Sequence, residues 1–162
     1  MYQFMKKISV LVLSVTVFFS ACSKDDDKCE YDVCANKAPE SEVQAVADHI
    51  ATNNITAIKH CSGIYYTVEN PGTGKNPMPC SNITVKYKGY LTNGHVFEQP
   101  INPAQINLGM VIPGWRNVLP LIKAGGRVVL YIPPSLAYGN QASGDIPANS
   151  ILVFEVDLLG VE

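Results

Sequence analysis

Charge is scarce in this sequence, and no sign dominates it. Charged residues make up 16% of the 162 positions, with 12 Lys+Arg against 14 Asp+Glu. The formal charge of −2 leaves no basic stripe, which argues against a nucleic-acid partner. No apolar run reaches the roughly 18 residues of a membrane span. No repeat or sustained heptad appears, so solenoid and coiled-coil architectures are excluded. Chemical signatures are missing as well. There is no G-x-S-x-G elbow and therefore no hydrolase nucleophile at such a turn. His49, His60 and His95 are scattered, match no H-E-x-x-H, and read as surface residues. Gly72-Thr73-Gly74-Lys75 lacks the spacing of a phosphate-binding loop and reads as a glycine turn. No carboxylate pair has spacing suited to glycoside hydrolysis. These absences predict no metal and no cofactor, and leave apolar and aromatic side chains as the candidate chemistry.

What is present begins with a targeting pattern. Lys6 and Lys7 precede the apolar run Ile8 to Phe19, which is too short to span a bilayer. Ser20-Ala21-Cys22 follows, small residues before a cysteine. This resembles the lipobox of bacterial lipoproteins, which implies cleavage after residue 21 and a lipid on Cys22; plain cleavage with a free Cys22 thiol is the alternative. The resemblance predicts an exported chain, lipid-anchored to a bacterial membrane, with the outer membrane as the expected site. Ser23-Lys24-Asp25-Asp26-Asp27-Lys28 reads as a solvated tether and is similar to the acidic export tag of some Gram-negative lipoproteins.

With Cys22 set aside, Cys29, Cys34, Cys61 and Cys80 remain, an even number in an oxidising compartment. One or two disulfides are expected, with three connectivities open. Zinc is disfavoured, because no C-x-x-C pair is present.

Residues 22–39 are polar and read as a tether. Val43, Val46, Ala47 and Ile50 recur on one helical face within residues 40–60, with Glu40 and Glu42 at the favourable N-terminal end. Asn53-Asn54 stops that helix, which is too short to be stable alone. Strand alternation follows at Ile64/Tyr66/Val68, Ile83/Val85/Tyr87, Val128/Leu130/Ile132 and Leu152/Phe154/Val156/Leu158. Asn93-Gly94 signals a hairpin turn. Trp115 to Ile122 is the one internal helical stretch, and Pro120 keeps it short. The fold class is α+β, mostly antiparallel.

Five ordered segments carry the functional signal: Val85-Lys86-Tyr87-Lys88-Gly89, Gly94-His95-Val96-Phe97-Glu98, Val111-Ile112-Pro113-Gly114-Trp115, Ala137-Tyr138-Gly139 with Ile146-Pro147, and Leu152-Val153-Phe154. Together they resemble the FK506-binding-protein (FKBP) family of peptidyl-prolyl isomerases over residues 61–162. The resemblance implies a curved antiparallel β-sheet wrapped around a short α-helix, with residues 40–60 as a helical extension. It implies a catalytic set of Tyr87, Phe97, Glu98, Ile112, Trp115, Tyr138 and Phe154, with Val111 and Ile146 binding substrate. In that set Trp115 is the pocket floor and Glu98 replaces the usual aspartate. Ala104 stands where some members carry an aromatic wall, and Met110 where many carry Glu or Gln, so a pocket more open on one side is expected. The implied activity is cis–trans isomerisation of X–Pro bonds in polypeptide clients by a monomer that assists the folding of exported proteins. A non-catalytic FKBP-like chaperone, or a surface interaction lipoprotein, is the alternative. The family topology also separates Cys61 from Cys80. It therefore implies pairing of Cys29 and Cys34 with those two, against a Cys29–Cys34 closure of the tether.

Overall fold

The computed structural model describes residues 29–162. The lipobox and Cys22 lie outside the described residues. Seven strands form one antiparallel sheet: β1 (Ile58–Lys59), β2 (Tyr65–Asn70), β3 (Asn82–Leu91), β4 (Val96–Glu98), β5 (Ala104–Asn107), β6 (Gly126–Ile132) and β7 (Leu152–Val161). Their order is β1-β2-β6-β7-β3-β4, with β5 also on β3. The long strands β3 and β7 pair through the centre, with Tyr87 opposite Val156 and Gly89 opposite Phe154. The hairpin at Asn93-Gly94 closes as its sequence predicts: Leu91 N–H donates to the His95 carbonyl at 2.9 Å, and Gly94 takes φ +88°.

Period-2 alternation sends Ile83, Val85, Val128, Leu130, Ile132, Leu152, Val156 and Leu158 to the inner face, where all are buried. The helix α2 (Pro113–Val118) lies against that face with Trp115 and Val118. Its approach is close. A Cβ on Gly114 would fall 2.5 Å from Ile132 Cδ1, so only glycine fits there.

Part of the outer face is covered too. Val129, Tyr131 and Val153 pack with Val46 and Ile50 of α1 (Glu40–Thr52) in a second, smaller core. Burying each of those aliphatic side chains is worth about 1.5–3 kcal/mol, which supplies what a 13-residue helix lacks alone. The helix has no side-chain N-cap; Glu42 instead reaches the loop after β6, accepting from Ser135 N–H at 2.8 Å.

Residues 29–38 run between the two faces. Cys29 pairs with Cys80 and Cys34 with Cys61, at Cα separations of 5.7 and 5.5 Å. Ala38 N–H donates to the Ser62 carbonyl at 2.9 Å, which starts α1 against the 61–63 turn. Of residues 22–39, read as a polar tether, the described part is fastened to the domain at Cys29 and Cys34. His60 is also a correction. It is half-buried rather than a surface residue, its Nδ1 accepting from Ser62 N–H at 3.2 Å, and burial lowers its pKa below the ordinary value.

Candidate active site

The inner face opens beside α2 into a cavity of about 300 Å³. Trp115, 4% exposed, forms its floor. Tyr87 and Phe154 stand edge-on to the indole, with ring centroids at 5.1 and 5.2 Å and interplanar angles of 88° and 89°. Perpendicular packing sets the positive edge of one ring against the negative face of the other in each pair and ties the three aromatics together. Phe97 extends it by a perpendicular contact with Phe154 at 5.5 Å. Gly89 allows this, since a Cβ there would lie 2.5 Å from Phe97 Cε2 and 2.7 Å from Phe154 Cε1.

Polar groups sit at the rim. Tyr87 O–H donates to Glu98 Oε1 at 2.6 Å, a short charge-assisted bond that sets the ring's rotation. Burial and that bond hold the Tyr87 phenol well above its ordinary pKa. Tyr138 stands at the mouth, 41% exposed, its phenol lifted by burial and by the Glu98 charge. The backbone N–H of Ile112, just before α2, has no acceptor among the described residues.

Seven of the nine residues predicted from sequence line the cavity: Tyr87, Glu98, Val111, Ile112, Trp115, Tyr138 and Phe154. Two do not. Phe97 packs against Phe154 at the edge of the inner core, and Ile146, 6% exposed, packs within that core. Two lining residues were missed, Ile106 on β5 and Met110 in the turn before α2. Ile106 is two residues beyond Ala104 and forms the wall on the side where the aromatic is lacking. Met110, 88% exposed, overhangs the mouth. Neither belongs to a periodic run long enough to be read.

A second recess of about 440 Å³ lies on the other side of β3, lined by Lys86, Lys88, Ile101 and the Arg127 cluster. Arg127 bonds Glu69, Asp157 and Glu155 at 2.6, 2.8 and 2.8 Å. That recess is polar and half-exposed, and the charges of Arg127, Glu155 and Asp157 in it pair with one another. Among the described residues the only Cys/His grouping with metal-binding proximity is Cys34, His60 and Cys61, and its two sulfurs are bonded to each other. The apolar cavity is therefore the candidate site.

Comparison with known proteins agrees with the geometry. The family model for FKBP-type peptidyl-prolyl cis-trans isomerase matches residues 74–159. This chain belongs to that family. Among curated FKBP relatives, FkpA of Aeromonas hydrophila is 41% identical over 104 residues, 62% of this chain and 39% of that protein. FkpA of Escherichia coli K12 is 42% identical over 104 residues, 62% of this chain and 38% of that protein. The chain thus spans about two fifths of the length of these relatives. The solved peptidyl-prolyl cis-trans isomerase of Pseudomonas syringae pv. tomato superposes with a TM-score of 0.67 at 33% identity, covering 78% of this chain and 98% of that one. The E. coli FkpA crystal structure gives 0.64 at 35% identity, covering 76% and 63%. No helix among the described residues is long and apolar enough to cross a membrane.

Proposed function

We propose that this FKBP-family chain is a peptidyl-prolyl cis-trans isomerase acting on proline-containing segments of exported polypeptides. The observation that carries the reading is the aromatic cavity: an indole floor, two perpendicular ring walls and only rim polar groups. An X–Pro amide faces a rotation barrier of about 18–20 kcal/mol from C–N double-bond character. Unaided exchange takes about 10–100 s. Twisting the bond breaks the resonance and reduces its charge separation. The twisted amide therefore loses less than the planar one on leaving water, and an apolar slot binds it better. Lowering the barrier by about 7 kcal/mol corresponds to roughly a 10⁵-fold acceleration.

In this scheme Trp115 seats the proline ring, and Phe154 and Tyr87 flank the turning carbonyl, with Phe97 packed against Phe154. Ile112 N–H and the Tyr138 hydroxyl hold substrate carbonyls. Glu98 fixes Tyr87. Val111 and Ile106 complete the apolar wall, and Ile146 supports it from the core. No nucleophile, metal or cofactor enters the step. Export is part of the proposal. The lipobox-like Ser20-Ala21-Cys22 and the disulfides Cys29–Cys80 and Cys34–Cys61 support an oxidising compartment, with a lipid on Cys22 as the membrane link.

Proline-limited refolding of an unfolded protein tests the reading. The oxidised chain is expected to speed the slow phase at substoichiometric concentration. A higher refolding yield with an unchanged slow-phase rate would instead make it a non-catalytic binding module.

A further inference from the structure

The pocket floor rides on a helix that cannot place itself. The helix α2 has six residues and no side-chain N-cap, so its position rests on what is packed against it. One side meets the sheet. The residues that follow Trp115 in the helix, Arg116 and Asn117, meet the N-terminal segment. The Tyr31 ring stacks on the Arg116 guanidinium, with its carbon 3.8 Å from the ring centroid. Tyr31 O–H donates to Asn117 Oδ1 at 2.8 Å. Asn117 is 1% exposed, so losing Tyr31 strips a buried oxygen of its donor. Arg116 reaches further along the same anchor. Its Nε donates to the Pro79 carbonyl at 3.0 Å, and its Nη2 lies 3.3 Å from Cys80 Sγ, within the disulfide that fastens Cys29.

We propose that Tyr31 is a positioning residue for the isomerase site: held by Cys29–Cys80, it fixes α2 through Arg116 and Asn117 and so sets the seat of Trp115. Tyr31 lies outside residues 74–159, which the family model matches. The proposal rests on the isomerase reading for its kinetic consequence, but not for its structural one. A floor held less firmly binds substrate and twisted state less well by similar amounts. That raises KM and leaves kcat nearly unchanged.

Trp115 is the single tryptophan of the sequence, so its fluorescence reports the floor alone. The test compares the oxidised full chain with Tyr31→Ala, Tyr31→Phe and the paired variant Cys29→Ser/Cys80→Ser. Each is measured for kcat and KM on an X–Pro peptide, for acrylamide quenching of Trp115, and for melting temperature. Loss of the stack and the hydrogen bond predicts a roughly three- to tenfold rise in KM for Tyr31→Ala, with kcat within about twofold and greater quenching. Tyr31→Phe keeps the ring and falls between Tyr31→Ala and wild type. The paired cysteine variant follows Tyr31→Ala. A lower melting temperature with unchanged KM and quenching would make Tyr31 merely structural and overturn the proposal. Should Tyr31→Ala fail to fold, Tyr31→Phe decides by the same two readouts. A wild-type chain that does not accelerate exchange would remove the isomerase reading, and quenching of Trp115 alone would then decide the role of Tyr31.

Discussion

The hydroxyls of Tyr87 and Tyr138 differ in what they can do. The Tyr87 hydroxyl is spent on Glu98, whereas that of Tyr138 has no partner among the described residues and faces the mouth. Tyr138→Phe is therefore expected to lower kcat/KM by about threefold to tenfold, the cost of one hydrogen bond, with an unchanged melting temperature. Both phenol pKa values are raised, so both hydroxyls keep their protons throughout the neutral and mildly alkaline range. The pH–rate profile should show no loss from phenol ionisation between about pH 7 and 10. A descending limb with a midpoint near 9 would contradict the environment described for them. His60 acts on stability instead. Its folded pKa is depressed, so the folded state binds fewer protons than the unfolded one at mildly acid pH. Its contribution is complete above the unfolded value, about 6.5, and declines as pH falls through the folded value.

Elements show where sequence was readable and where it was not. Strands β3 and β7 were legible because buried apolar residues alternate with more exposed ones over part of each, and β6 was legible as an apolar run whose Val128, Leu130 and Ile132 face inward while Val129 and Tyr131 are buried on the other side. Strands β1, β4 and β5, of two to four residues, are too short to carry a period; Ile106, a wall of the cavity, sits on one of them. The site aromatics were legible through their ordered spacing. Met110 was noted only as a departure, since one exposed thioether carries no pattern. The helix α1 was legible as an amphipathic element, but its placement was not. Periodicity gives the apolar face of a helix and not the face it will cover. The contact of Tyr31 with Arg116 and Asn117 spans 85 and 86 positions, which no local pattern encodes. The close packing of α2 on β6 yields a test at this scale. Gly114→Ala forces a methyl into Ile132, and overpacking of this kind costs about 1–3 kcal/mol. Urea denaturation should show that loss, and an unchanged midpoint would mean that α2 sits further from the sheet.

At the scale of the whole molecule, the two disulfides join the N-terminal segment to the turns that precede β3 and β2. Cys29–Cys80 closes beside α2 on the inner side, and Cys34–Cys61 closes where α1 departs for the outer side. They span 51 and 27 positions, and the loop-closure estimate gives roughly 3–4 kcal/mol for each. Reduction should therefore lower the denaturation midpoint markedly in full-length protein. Equal midpoints with and without reductant would show that the bridges do not constrain the unfolded chain. Paired charges on the outer face add little by comparison, because Arg127 and its partners are about a third or more exposed on average. The arrangement is a sheet with a helix on each side, in which the inner helix carries the cavity floor and the N-terminal segment braces it. The central claim is that this cavity turns X–Pro amides. Exchange spectroscopy on a short X–Pro peptide, with a catalytic amount of the oxidised chain, tests it most directly. The expected result is cis–trans exchange many times faster than in the free peptide, with the acceleration largely lost in Phe154→Ala; exchange at the uncatalysed rate would contradict the isomerase reading.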